Sequence, residues 1–182
     1  MPLMRAAAPR PEIAADPPNG VEAERAGATK KLADILSRES NPLAREAALT
    51  GLARIGDDEA IRALVGLLGT EDPRLRNAII ETLPSLGERV IDHIETMLSD
   101  ADPSLRVYAL TALQPIAAPR AAEVALRVAL ADPHINVCAA AVEVVAESGT
   151  PEMAGALQSV PARFPDHPFL RFAVQAALEE IG

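Results

Sequence analysis

The chain has 182 residues, a formal charge of −9 and very few aromatic side chains, with three Phe, one Tyr and no Trp. Its core must come from Leu, Ile, Val and Ala on closely packed helices, and the commonest residue, alanine, is the strongest helix former, so the composition points to an all-α protein. Only two lysines, Lys30 and Lys31, stand against the acidic excess, which argues against nucleic acid as a partner; the single cysteine, Cys138, excludes an internal disulfide or a thiolate zinc cluster.

Residues 1–20 hold five prolines and little that can pack, which predicts a disordered or extended tail. They contain no apolar signal-peptide core, and no run of eighteen apolar residues occurs, so neither secretion nor membrane insertion is expected and a cytoplasmic setting is. From Val21 onward two kinds of segment alternate. The first kind carries apolar residues at helical spacing, as in Leu32, Ile35 and Leu36, or Ile61, Leu64, Val65 and Leu68. The second kind starts at a proline.

Those starts are Asn41-Pro42, Asp72-Pro73, Asp102-Pro103, Asp132-Pro133 and His167-Pro168, with prolines 31, 30, 30 and 35 residues apart. A fixed period of this size marks a repeat array. An Asp or Asn side chain accepts from the free amides of a helix's first turn, and proline suits the first helical position because its missing N–H would be unpaired there. Counting from each proline, residue +2 (Ala44, Leu75, Leu105, Ile135, Leu170) and residue +10 (Leu52, Leu83, Leu113, Glu143, Leu178) fall on one stripe. Gly56, Gly87 and Gly182 stand where a C-terminal cap belongs, and Gly149 does so after two extra residues. The expected organisation is an array over 21–182 of helical hairpins, about 21–56, 57–87, 88–118, 119–149 and 150–182. The fourth departs from the others at Asn136 and Glu143, and the Pro151, Pro161 and Pro165 that follow are expected to bend the array.

The segment DPRLRNAIIETLPSLG, with GLARIGDDEAIRALVGLLGTEDP before it, resembles the HEAT-repeat superfamily, in particular short phycobilisome-lyase-type repeats. The resemblance runs over about residues 28–182. It implies an α-solenoid of about five antiparallel helix pairs in a right-handed superhelix, with the proline-started helices lining the concave side.

Two constellations are candidate sites. Arg45, Arg76, Arg106 and Arg171 recur three residues after the proline and read as a structural ladder, each reaching a loop acid or carbonyl of its own or an adjacent unit; the other reading is an anion-binding column. The second is the concave surface near +4 and +8, represented by Glu46, Thr50, Asn77, Glu81, Val107, Thr111, Val137 and Phe172, which passes from acidic to apolar along the chain. Phe164, Phe169 and Phe172 fall together in the last unit, where they either fill the core or support self-association.

No catalytic, cofactor-binding or metal-ligating set is found. His93, His134 and His167 are scattered, HExxH and His-Glu steps are absent, and no glycine-rich phosphate loop occurs. The favoured function is a non-enzymatic, bacterial adaptor, scaffold or regulatory subunit that holds another protein on its concave surface. The alternative implied by the resemblance is a lyase or chaperone-like subunit handling a bilin. A DNA-repair reading by likeness to HEAT-like glycosylases meets the wrong charge.

Overall fold

The computed structural model describes residues 20–182, with side-chain burial from Glu22. The predicted tail over 1–20 lies outside the described residues except for Gly20, which opens the first helix.

Ten α-helices follow in order among the described residues: α1 (Gly20–Arg38), α2 (Pro42–Ile55), α3 (Asp58–Gly66), α4 (Pro73–Thr82), α5 (Arg89–Met97), α6 (Pro103–Leu113), α7 (Pro119–Ala131), α8 (Ile135–Ser148), α9 (Ala154–Leu157) and α10 (Pro168–Ile181). The odd-numbered helices stack in sequence order, α1 on α3, α3 on α5, α5 on α7 and α7 on α9. On the other side α2 packs on α4, α6 on α8 and α8 on α10, while α1·α2, α5·α6, α7·α8 and α9·α10 join the two layers. Each helix therefore buries its stripe against neighbours close in the chain, which is the packing of a stacked repeat.

The core between the layers is one cluster of aliphatic side chains. Leu36, Leu52, Ile61, Leu64, Ile79, Leu83, Ile91, Ile94, Leu110, Leu113 and Leu157 are all fully buried within it. Phe164 packs against its edge, and small residues such as Ala48, Ala109, Ala122 and Ala141 let the helices close up.

Three helix starts follow the expected chemistry. Asn41, Asp72 and Asp102 are N-caps whose side chains accept from Leu43, from Arg74 and Leu75, and from Ser104, with proline in the first turn. Gly56 ends α2 in the left-handed conformation at φ 57°, its N–H bonded to the Leu52 carbonyl.

The fourth start is a correction. Asp132-Pro133 was expected to open α8, but the N-cap is His134, and the Cys138 amide bonds to the His134 carbonyl. Asp132 instead does the work of the residue two before the cap. Its Oδ1 accepts the His134 amide at 2.8 Å, as Asp100 accepts Asp102, Thr70 accepts Asp72 and Glu39 accepts Asn41. Helix α7 runs on through Ala131, so the turn and everything after it move by two residues. Counted from the true cap, the stripe position of Leu52, Leu83 and Leu113 is Val145, which is fully buried. Glu143 is exposed and breaks no stripe. The two extra residues before Gly149 are the same offset, and Gly149 closes α8 in extended backbone (φ −73°, ψ 170°) rather than in a left-handed cap.

Between α8 and α10 the proline-punctuated segment breaks into α9 and short 3-10 turns at Pro151–Met153 and Val160–Arg163. Proline lacks the N–H that would continue a helix ladder, which keeps these pieces short.

Candidate functional site

The arginine series sits at the loops between the two layers. Arg45, Arg76 and Arg106 each lie four residues after an N-cap, and each turns back onto the carbonyls where the preceding odd-numbered helix ends. Arg45 Nε donates to Glu39 O at 2.6 Å; Arg76 donates to Thr70 O at 2.6 Å and Leu68 O at 3.2 Å; Arg106 donates to Asp100 O at 2.8 Å and Ala101 O at 3.3 Å. These carbonyls stand in the turns just beyond the helix ends, accept no backbone N–H there, and are satisfied by the guanidinium fork. In these bonds Glu39 and Asp100 take part through the backbone.

The same arginines reach the next unit. Arg45 bonds Asp72 at 2.5 Å, and Arg106 grips Asp132 with two parallel bonds of 2.7 and 3.0 Å. Arg76 lies 3.9 Å from the centroid of the Tyr108 ring, a cation–π contact. Burial pushes the Asp132 carboxyl up, but the bonds from Arg106 and the His134 amide outweigh it and hold its pKa below the usual range.

Arg171 occupies the equivalent position of α10 but is exposed, and among the described residues its side chain has no hydrogen bond or ion pair. The structure thus brings three of the four arginines into equivalent clamps and leaves the fourth open.

The fourth unit has no arginine at this position because, in the corrected register, the residue four after the cap is Cys138. Its Sγ donates to Asp132 O at 3.2 Å, the carbonyl six residues back that Arg45, Arg76 and Arg106 also take. The missing guanidinium arrives from the following segment: Arg163 donates to Asp132 O at 2.6 Å and to Ala129 O at 2.7 Å. No spacing rule pointed to Arg163. Its only sequence signal was the absence of an arginine at Asn136, where the uncorrected register expected one.

The candidate surface residues divide by burial. Glu46, Thr50, Asn77, Glu81 and Thr111 are exposed on α2, α4 and α6, Val107 is half-buried, and Phe172 on α10 is 75% exposed. Val137 is a correction. It is 0% exposed, because the two-residue shift puts it three after the cap, where Leu75 and Leu170 are buried and Leu105 is half-buried. The equivalents of Glu46 and Thr50 in α8 are Ala139 and exposed Glu143. The passage from acidic to apolar along this face is therefore interrupted by Glu143.

The opposite face is closed on itself. Arg89 of α5 bonds Asp58 of α3 at 2.8 Å, with His93 3.8 Å from the same carboxylate. Asp92 and Glu95 of α5 bind Arg120 of α7, and Glu95 binds Arg127 at 2.5 Å. Such exposed pairs add little stability individually, but they tie up every charged residue of α5 and leave Glu59, Arg62 and Glu123 open on α3 and α7.

Among the described residues no three His, Cys, Asp or Glu side chains lie close enough to hold a metal ion, and no helix is long and apolar enough to cross a membrane. His93, His134 and His167 lie on different units.

Residues 29–100 match a family model described as HEAT repeats, from α1 to the turn after α5. No curated protein matches the chain. Among solved structures, the crystal structure of an engineered protein is similar to it at 20% identity and a TM-score of 0.43, over 85% of this chain and 79% of that one, a likeness too distant to bear on function.

Proposed function

We propose that the protein is a non-enzymatic interaction module, an adaptor, scaffold or regulatory subunit, that holds another protein along the face formed by α2, α4, α6, α8 and α10. The observation that carries this reading is the contrast between the two faces. Asp58, Arg89, Asp92, Glu95, Arg120 and Arg127 on α3, α5 and α7 are bonded to one another across helices, with Glu59, Arg62 and Glu123 left open there, whereas Glu46, Asn77, Glu81 and Glu143 are all exposed with no side-chain partner among the described residues. Side chains left open in a row on a stacked array are available to a partner, and such arrays work through an extended surface. The HEAT-repeat match over residues 29–100 and the lack of a metal-binding cluster among the described residues are consistent with a non-enzymatic role.

The finer picture belongs to the same proposal: short phycobilisome-lyase-type units, about five of them, wound into a right-handed superhelix with the even-numbered helices on the concave side. Its support is the near-constant spacing of the N-caps Asn41, Asp72, Asp102 and His134. No feature of the structure favours the bilin-handling alternative. A cytoplasmic, bacterial setting is proposed with it.

The test is affinity capture of the tagged protein from its own cells, with mass spectrometry, comparing wild type with Glu46→Lys, Glu81→Lys and Glu143→Lys. A dominant partner weakened by these reversals supports the reading. The same partner retained through all three, or capture of nothing specific, removes it.

A further inference from the structure

Arg171 repeats the placement of Arg45 and Arg106, four residues after its N-cap, yet no carboxylate among the described residues stands where theirs do. In both working cases that carboxylate is an aspartate at the start of the next even-numbered helix: Asp72 before α4 and Asp132 before α8. Beside Arg171 a shallow groove of about 430 Å³ is lined by Pro168, Phe172 and Gln175, and Phe172 is the most exposed large apolar side chain described. A guanidinium with an exposed aromatic ring next to it offers a carboxylate and an apolar side chain complementary partners at one place.

From this geometry we propose that the Arg171–Phe172 edge of α10 docks an acidic helix start on a partner protein, an Asp or Glu followed within about one helical turn by a leucine-like residue. This deepens the interaction-module reading and rests on it. The chain's own Asp72-Pro73-Arg74-Leu75 shows the pattern, with Asp72 on Arg45 and Leu75 buried. A second copy of this chain fits less well. Stacked in register it would present Asn41, a neutral amide, as the cap. It would also meet Gln175, bonded to Glu179 at 3.0 Å, where Leu49, Ile80, Leu110 and Val142 stand in the other units. The docking is therefore local to the first turns of α10.

The experiment uses the full chain labelled with nitrogen-15 and an acetylated synthetic peptide of residues 72–86. Amide shifts confined to about residues 168–176 are expected, lost with the D72N peptide and with Arg171→Glu protein, and kept in part with Arg171→Lys. Arg171 is exposed, so an unchanged circular-dichroism melt will show that Arg171→Glu still folds. Absence of shifts at millimolar peptide, or equal binding by the D72N peptide, overturns the proposal. So does concentration-dependent dimerisation abolished by Phe172→Glu without peptide binding, which would assign the edge to a second copy. If cellular capture depends on Glu46, Glu81 and Glu143 but is indifferent to Arg171→Glu, this proposal alone fails and the interaction-module reading stands.

Discussion

The Arg163 guanidinium lies 3.4 Å from the Cys138 sulfur, at the place where the other units insert their own arginine. Cys138 keeps the bond to the carbonyl six residues back but is too short to reach a second one, so Asp132 O and Ala129 O are covered by Arg163 from the next segment. One clamp is thereby divided between two residues, and the polar groups at the end of α7 stay satisfied.

The division predicts unequal costs for the two truncations. Arg163→Ala orphans the Ala129 carbonyl, leaves Asp132 O with only the weak Cys138 thiol bond, and is expected to lose about 2 kcal/mol, in the range for hydrogen bonds made by a charged donor. Cys138→Ala removes a small buried sulfur and is expected to lose about 1 kcal/mol. Urea unfolding of both variants measures this, and the reverse ranking would show that Arg163 contributes nothing at the clamp.

Burial pushes the Cys138 thiol up, against the opposing pull of Arg163. Since the thiolate is the reactive form, the native protein should resist a disulfide reagent at pH 8, with modification following unfolding in urea. Reaction of native protein at the rate of a free thiol would contradict the packing around α8.

The Arg106–Asp132 pair has side chains only 10% and 7% exposed. Removing one partner of a buried pair leaves an uncompensated charge, and Arg106→Ala is expected to cost about 3 to 5 kcal/mol. The Asp132 pKa is lowered in the fold, so its stabilising contribution is complete above the unfolded carboxyl value of about 4 and is lost as pH falls through the folded value. Thermal melts between pH 5 and 2 should therefore fall less steeply for Asp132→Asn than for wild type. Parallel profiles would refute the assignment.

Asp102 and Asp72 cap equivalent helices but differ in load. Asp102→Ala loses one cap and should cost about 1 kcal/mol. Asp72→Ala also releases Arg45 and should cost more. Guanidinium melts of the two variants and of Arg45→Ala will decide: equal losses for the two aspartates would mean that the half-buried Arg45–Asp72 bond adds nothing.

The sequence by itself determined the helical hairpins, the caps at Asn41, Asp72 and Asp102, and the recurrence of Arg45, Arg76 and Arg106, because helix periodicity and capping act over a few residues and are written locally. It also held the clue to the fourth unit, in the displaced Gly149. Tertiary structure decided what Asp132-Pro133 does. The same dipeptide can cap a helix or precede the cap, and here the longer α7 and the grip of Arg106 on Asp132 choose the second, turning Val137 inward and Glu143 outward. Arg163 in the place of a missing arginine, Tyr108 stacked on Arg76, and the open position of Arg171 likewise depend on which units become neighbours. Such contacts join residues about thirty apart through packing, and no local propensity encodes them.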